Sequence, residues 1–155
     1  MRALITGGGG FLGQNLARRL LARGDQVRIL ARHDYPELAR RGAECMQGDI
    51  RDADACLWAC TDMDVVFHAA AMAGVWGPRQ RFFEINVKGT ANVLRACLEN
   101  KIRTLVYTSS PSVVFGRDSI AGGDESLPFP EHYLAAYPES KAVAERMVLD
   151  ADGWE

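Results

Sequence analysis

The chain has 155 residues, which is enough for one domain with a sizeable hydrophobic core. Its composition, 48% hydrophobic and 25% charged, is typical of globular proteins, and its net charge of −2 argues against a nucleic-acid or membrane surface. No apolar run approaches the roughly 20 residues that cross a bilayer, and Met1 leads directly into RALITGGGG without a signal peptide. These features predict a cytoplasmic protein with no membrane span and no nucleic-acid partner.

Short β-rich runs alternate with amphipathic helical runs along the chain. The predicted strands cover residues 2–6, 26–30, 43–47, 64–69 and 104–110. The predicted helices cover residues 11–23, 36–41, 53–60, 79–100 and 138–150, with a long polar loop before the last of them. This alternation predicts an α/β fold, a doubly wound parallel sheet with helices on both faces.

Ligands of such sheets bind beyond the carboxyl ends of the strands. The sequence places Gly7, Ala31, His68 and Ser110 at those ends, so the functional site is expected there.

The segment TGGGGFLG, residues 6–13, joins the first predicted strand to the first predicted helix. Gly7, Gly10 and Gly13 have the spacing Gly-x-x-Gly-x-x-Gly. Glycines at these positions allow a tight turn, the approach of a pyrophosphate to the backbone and close packing of the helix on the sheet. The helix N-terminus adds free N–H groups and the positive end of a dipole. The loop therefore predicts a dinucleotide site, and the alternative is a merely flexible loop.

The four cysteines are expected to be reduced, small apolar core residues. Cys56 and Cys60 could share a helix face, but no histidine lies near them in sequence, and His33 and His132 fall in predicted loops. We therefore predict no metal site.

Tyr137 and Lys141, in the sequence AYPESKA, stand four residues apart, which puts both on one side of a helix. Tyrosine has an ordinary pKa near 10, and a nearby ammonium lowers a tyrosine pKa by stabilising the phenolate. The two side chains are either accidental packing or a proton-transfer pair.

Further segments follow in chain order: GDIRD (48–52), HAAA (68–71), INVKGTANVL (85–94), YTSSPSVVFG (107–116) and YPESK (137–141). With the glycine loop, they resemble the motifs of the extended branch of the short-chain dehydrogenase/reductase family, which includes NAD-dependent epimerases and dehydratases. Within that branch, the chain is similar to the 3β-hydroxysteroid dehydrogenase-like group and to 2-alkyl-3-oxoalkanoate reductases of bacterial long-chain hydrocarbon synthesis. The segments that carry this likeness are AGVWGP (73–78), YTSSPSVVFG (107–116) and DESLPFPEHYLAAYPESKAVAE (124–145). The resemblance implies an NAD(P)-binding Rossmann domain over residues 1–155.

The resemblance also implies a cofactor site. Its residues are Gly7, Gly10, Phe11, Leu12, Gly13, Asp49, Ile50, Ala69, Ala70, Tyr137 and Lys141. Asp49 and Ile50 would meet the adenine, Lys141 would hold the nicotinamide ribose, and Asn86 would hold the local main chain in place.

The implied catalytic residues are Ser110, Tyr137 and Lys141. Ser110 would hydrogen-bond the substrate oxygen, Tyr137 would pass a proton to or from that oxygen, and Lys141 would supply the charge that assists Tyr137. Ser109 is the rival for the serine role.

The second predicted strand ends in RILARH, and this ending bears on the choice of cofactor. An NAD site normally has an acidic residue there that holds the ribose 2′-hydroxyl. Ala31 stands near that position instead, followed by Arg32 and His33, and Asp34 comes later. The Arg32 guanidinium matches a 2′-phosphate, and residues 1–41 carry eight arginines against three acidic residues. We therefore predict that NADP(H) is favoured over NAD(H); the alternative is that Arg32 is a solvated strand-end residue.

Together these features predict an NAD(P)(H)-dependent oxidoreductase that interconverts a ketone and a secondary alcohol on an apolar substrate, of the 2-alkyl-3-oxoalkanoate or 3β-hydroxysteroid type. The alternatives are a nucleotide-sugar epimerase or dehydratase and, from another class, a non-catalytic dinucleotide-binding regulatory module. Family members are longer, so the substrate lobe that follows in them is expected to be missing after residue 155. The loop at 111–136 is expected to need that lobe, a neighbouring chain or substrate to become ordered. A homodimer is compatible with the sequence.

Overall fold

Five parallel strands form one sheet in the computed structural model, which describes residues 1–74, 76–116, 120–124 and 126–153. The strands are β1 (Arg2–Thr6), β2 (Gln26–Ala31), β3 (Glu44–Gln47), β4 (Val65–His68) and β5 (Leu105–Tyr107). They lie in the order β3-β2-β1-β4-β5, and each neighbouring pair is parallel. The predicted doubly wound α/β fold is confirmed, and its strand order reverses between β1 and β4, where sheets of this kind bind ligands.

Five helices lie between these strands in the chain, and a sixth follows the last strand. They are α1 (Phe11–Ala22), α2 (Pro36–Arg40), α3 (Ala53–Cys60), α4 (Arg79–Phe82), α5 (Gly89–Glu99) and α6 (Ala136–Asp150). The Asp52 side chain caps α3 by accepting from two N–H groups of its first turn, and Pro138 lies in the first turn of α6. Among the described helices, none is both long enough and apolar enough to cross a membrane.

Helices cover both faces of the sheet because successive strand residues point to opposite sides. One layer packs α3 and α5 on the sheet through Leu4, Leu30, Cys56, Ala59, Cys60, Val66, Val93 and Cys97. The other packs α1 and α2 on it through Ala3, Ile5, Ala17, Leu20, Ile29 and Leu38. All four cysteines are free thiols, and three of them are buried. The described side chains form no group of three or more His, Cys, Asp or Glu placed to hold a metal ion.

The helix expected over residues 79–100 is not a regular α-helix along its whole length. A π-helix at Phe83–Lys88 lies between α4 and α5 without a break in the helical path. This wider turn contains Asn86, whose side chain is buried and bonds to the segment after β4. The expectation of one regular helix was wrong here because the bonds of Asn86 lie outside the helix and leave no periodic signal in the sequence.

The fifth strand is shorter than the expected 104–110. Its ladder with β4 ends at the pair His68 and Tyr107, and the Thr108 N–H donates a last bond to the His68 carbonyl (3.0 Å). Ser109 and Ser110 continue past the end of β4 and have no strand to pair with. Ser110 instead begins a 3₁₀-helix at Pro111–Val114, so both serines leave the sheet at its carboxyl edge.

The loop expected at 111–136 contains this 3₁₀-helix, and its residues 117–119 and 125 lie outside the described part of the chain. The Tyr133 hydroxyl donates to the Val113 carbonyl (2.8 Å) and joins the two ends of the loop. That this loop needs a further lobe, a neighbouring chain or substrate to become ordered stays a prediction.

Candidate active site

The glycine loop makes a turn that only glycine permits. Gly7 has φ +70°, and a Cβ added there would lie 2.8 Å from the Ala70 backbone. A Cβ at Gly13 would lie 2.3 Å from the Gly7 carbonyl oxygen, so α1 packs directly on the loop. The Gly10 N–H donates to the Gly7 carbonyl (2.9 Å) and closes the turn. The three glycines therefore bring bare backbone to the carboxyl end of β1.

The N-terminus of α1 has unused hydrogen-bond donors. The N–H groups of Phe11, Leu12 and Gly13 have no acceptor within the described residues, and Gly10 offers no side chain to cap them. The first turn also contains no acidic residue. Free N–H groups at the positive end of a helix dipole favour an anionic group such as a phosphate.

A cleft of about 500 Å³ opens between this loop and the carboxyl ends of β2, β3 and β4. The predicted cofactor residues that line it are Gly7, Gly10, Arg32, Asp49, Ile50, Ala69 and Ala70. The remaining ones lie elsewhere: Phe11, Leu12 and Gly13 in the first turn of α1, and Tyr137 and Lys141 in α6. The cleft, the bare glycine backbone and the free N–H groups together fit a dinucleotide.

Several residues of the cleft were not among the predicted cofactor residues. Tyr35 and Met72 follow the ends of β2 and β4, and closeness to a strand end was the only signal for them. A Cβ on Gly9 would collide with the Tyr35 ring, so this ring lies against the glycine loop. Arg81 and Ile85 come from α4 and the π-helix, and only the folding of these helices onto the sheet brings them to the cleft.

Asp49 is held as a carboxylate at the end of β3. It accepts from the Arg51 N–H (2.9 Å) and the Arg51 guanidinium (2.8 Å). These hydrogen bonds and the charge of Arg51, with a smaller effect of Arg32, keep the pKa of Asp49 below its ordinary value. Asp49 therefore remains a hydrogen-bond acceptor, as the predicted contact with an adenine amine requires.

A buried chain of hydrogen bonds connects the glycine-loop strand to the π-helix. The Thr90 hydroxyl donates to the Asn86 carbonyl (2.6 Å), so it accepts from Nε2–H of His68 (2.9 Å). Nδ1 of His68 then accepts from the Thr6 hydroxyl (2.6 Å), which in turn accepts from the Ala70 N–H (3.3 Å). This direction of donors requires neutral His68, and burial, with the charge of Lys141 as a second cause, lowers the pKa of His68 to about 3.

We expect this histidine to make the fold acid-sensitive. Between about pH 6.5 and pH 3, the histidine of the unfolded chain binds a proton that His68 of the folded chain does not bind. The free energy of unfolding should therefore decrease as the pH is lowered through this range, by up to about 1.4 kcal/mol per pH unit. Urea unfolding of His68→Gln from pH 7 to pH 4.5 should give a smaller slope than the parent, although the variant starts less stable. His33→Gln, which changes an exposed histidine, is the control. Equal slopes for the parent and His68→Gln would contradict the assignment.

Asn86 joins three segments around the site. Its side chain accepts from the Met72 N–H (2.7 Å) and donates to the Met72 carbonyl (3.1 Å) and to the Ser140 hydroxyl (2.9 Å). Ser140 donates in turn to the Tyr137 carbonyl (2.8 Å). Asn86 thus fixes the chain after β4 against the first turn of α6, in agreement with the role that the resemblance implied for it.

Tyr137 and Lys141 lie one turn apart on α6, next to the end of β5. Lys141 is 2% exposed, and its ammonium donates to the Thr108 carbonyl (2.7 Å). Burial lowers the pKa of Lys141 to about 8 against the opposing charge of Glu145. The Tyr137 ring is half-buried and packs near Phe82, with 6.3 Å between ring centroids. Within the described residues, the Tyr137 hydroxyl makes no hydrogen bond with Ser110 or Lys141.

The two serines after β5 have different surroundings. The exposed Ser109 donates its hydroxyl to the Glu145 carboxylate on α6. The half-buried Ser110 shares a hydrogen bond with the Ser112 hydroxyl (2.8 Å) and accepts from the Ser112 N–H. Within the described residues, the Ser110 hydroxyl bonds only to its own turn, whereas the Ser109 hydroxyl bonds to a carboxylate of another helix.

Comparisons with known proteins found relatives that match almost the whole of this chain. The chain is 47% identical over 150 residues to the 2-alkyl-3-oxoalkanoate reductase of Shewanella oneidensis, covering 97% of this chain and 39% of that protein. It is 45% identical over 159 residues to the 3 beta-hydroxysteroid dehydrogenase/Delta 5→4-isomerase of Mycobacterium tuberculosis, covering 98% of this chain and 43% of that protein. The chain therefore spans less than half the length of these two relatives.

A solved structure has the same fold. The Thermus thermophilus UDP-glucose 4-epimerase in complex with NAD superimposes with a TM-score of 0.84 at 30% identity, covering 97% of this chain and 50% of that one. Residues 4–155 match the family model described as 3-beta hydroxysteroid dehydrogenase/isomerase family. The chain belongs to this family, as the order of its motifs predicted.

Proposed function

We propose that this chain carries the cofactor site and the proton-transfer residues of an NAD(P)-dependent oxidoreductase that interconverts a ketone and a secondary alcohol. The observation that carries the proposal is the buried Lys141 one helical turn from Tyr137, at the same edge of the sheet as the glycine-loop cleft. Burying an ammonium costs free energy unless the charge has partners. A buried ionisable group with a shifted pKa beside a cleft is therefore a candidate for a functional role. The names of both relatives, a reductase and a dehydrogenase, support the same class of reaction.

The proposed mechanism divides the work among three side chains. Ser110 donates a hydrogen bond to the substrate oxygen and orients it. Tyr137 gives a proton to that oxygen in reduction or takes one in oxidation, and the Lys141 ammonium stabilises the phenolate that is left. A bound nicotinamide supplies or accepts the hydride. Asn86 positions Tyr137 indirectly, through Ser140.

For the substrate we propose an apolar molecule, of the 2-alkyl-3-oxoalkanoate or 3β-hydroxysteroid type. Large apolar side chains are exposed on segments that approach the site: Trp76 is 90% exposed before α4, and Leu134 is 72% exposed before α6. The Arg79–Glu139 ion pair (2.7 Å) joins the two helices, α4 and α6, that these segments lead into. Exposed apolar side chains near an active site suit an apolar ligand.

A nucleotide-sugar epimerase is the second candidate, favoured by the similarity to the Thermus thermophilus epimerase. Both candidates use hydride transfer, and they differ in whether the substrate is apolar or carries a nucleotide. The predicted non-catalytic module is disfavoured because such a module has no need for the buried Lys141 beside Tyr137.

A turnover panel tests the proposal. This chain, together with the C-terminal segment that its relatives have, is expected to oxidise or reduce nicotinamide with 2-alkyl-3-oxo acids or 3β-hydroxysteroids and not with UDP-sugars. The control is a protein in which Ser110, Tyr137 and Lys141 are all replaced. Activity on UDP-glucose alone would support the epimerase instead, and cofactor binding without turnover of any substrate would support the regulatory module.

A further inference from the structure

The Lys141 ammonium rests on an aromatic ring that the mechanism above does not use. Its Nζ lies 4.1 Å from the centroid of the Tyr107 ring, in addition to its bond to the neighbouring Thr108 carbonyl. An ammonium over a ring face is attracted by the ring quadrupole, and the attraction is stronger when water is excluded. With one N–H on Thr108 and the ring face below, the ammonium keeps a donor for a further acceptor.

The Tyr107 ring also packs against His68 on the neighbouring strand β4. It is the register partner of His68 across β4 and β5, and the two ring centroids are 5.6 Å apart. His68 in turn is fixed by Thr6 and Thr90. A neutral His68 adds no second positive charge behind the ring, so it does not oppose the charged form of Lys141.

The Tyr107 hydroxyl has no evident structural use. Its oxygen is buried and has no hydrogen-bond partner within the described residues, and the neighbouring Thr90 hydroxyl already gives its proton to Asn86. Burial raises the pKa of Tyr107, so it stays protonated. A buried hydroxyl without a partner costs stability. The contact with Lys141 is therefore made by the ring of Tyr107 and not by its hydroxyl.

We infer that Tyr107 is a positioning residue: its ring face and the Thr108 carbonyl form a lysine seat that keeps Lys141 charged and holds its ammonium at the end of β5, with Tyr137 one helical turn away. The inference rests on the proposed role of Lys141 and adds the residue that makes this role possible in a buried place. The other titratable groups that act on the Lys141 ammonium, or on which it acts, are Glu145 on α6 and His68 on β4. Of the other elements packed against α6, the π-helix carries Glu84 and Lys88, and α4 carries Arg79 and Arg81.

The test measures the Lys141 amine directly. The chain contains three lysines, Lys88, Lys101 and Lys141, so NMR titration of ¹³C-labelled lysine side chains resolves each, with Lys141→Arg as the assignment. In Tyr107→Leu, which fills the space without a ring, the Lys141 pKa is expected to fall by about one unit. In Tyr107→Phe, which keeps the ring, it is expected to stay at the parent value. Lys88 and Lys101 serve as internal controls.

An unchanged or raised Lys141 pKa in Tyr107→Leu would overturn the inference, and so would an equal fall in Tyr107→Phe. Tyr107→Met is made alongside in case the leucine variant does not fold, and the Tyr107→Phe result decides between ring and hydroxyl in either case. The alkaline limb of the pH profile of kcat/KM is then compared. If the Lys141 pKa moves and this limb does not, the seat stands and the proposed role of Lys141 in the reaction fails.

Discussion

Replacing Tyr137 by phenylalanine is expected to lower turnover by roughly 10²–10⁴-fold, the range typical of a lost general acid–base group. The substitution keeps the ring and its packing near Phe82 but removes the only atom that can carry the proton. Cofactor affinity should change little. Turnover is measured with a 2-alkyl-3-oxo acid in a protein that also has the C-terminal segment of its relatives, and affinity by titration of NADPH fluorescence.

Two further variants make this result specific. Tyr133→Phe also removes a tyrosine hydroxyl, one that donates to the Val113 carbonyl, and it should cost only about 1 kcal/mol of stability with turnover largely kept. Lys141→Ala should lower both turnover and cofactor affinity, because Lys141 is proposed to serve both. Near-normal turnover by Tyr137→Phe would remove the proposed proton transfer.

Replacing Arg32 by alanine is expected to weaken NADP(H) binding by roughly 10- to 1000-fold and to leave NAD(H) binding nearly unchanged. One or two charge-assisted hydrogen bonds to the 2′-phosphate, at roughly 1.5–3 kcal/mol each, would be lost. Arg32 and His33 line the cleft at the end of β2, whereas Asp34 does not. Arg32 forms no ion pair in the part of the chain that the structure describes, so its guanidinium is available to a ligand.

The matched control is Arg40→Ala, which removes the same charge from the exposed end of α2 outside the cleft. If general positive charge near the site were enough, this variant would weaken NADP(H) binding as much as Arg32→Ala does. Calorimetric titration of both cofactors against the parent and the two variants decides the question. Equal losses for the two cofactors in Arg32→Ala, or tighter NAD(H) binding by the parent, would leave no support for NADP(H) preference.

The sequence by itself determined the architecture and the dinucleotide loop. Strand and helix periodicity reports which side of each element is buried, and this property depends on the residues of that element alone. The need for glycines at this spacing is equally local, because Gly13 packs against the Gly7 carbonyl within the same loop. The order of the motifs along the chain was enough to indicate the family to which the chain belongs.

The tertiary structure decided what the site residues touch. The side chain of Asn86, in the π-helix, bonds to Met72 and Ser140, which are 14 and 54 residues away in sequence. The lysine seat joins Lys141 to Thr108, which lies 33 residues earlier in the chain. The sequence around either residue contains no pattern that predicts this contact. Such contacts depend on how α6 packs against the end of β5 and on the desolvation that this packing brings, so they arise only when the whole sheet and its helices are assembled.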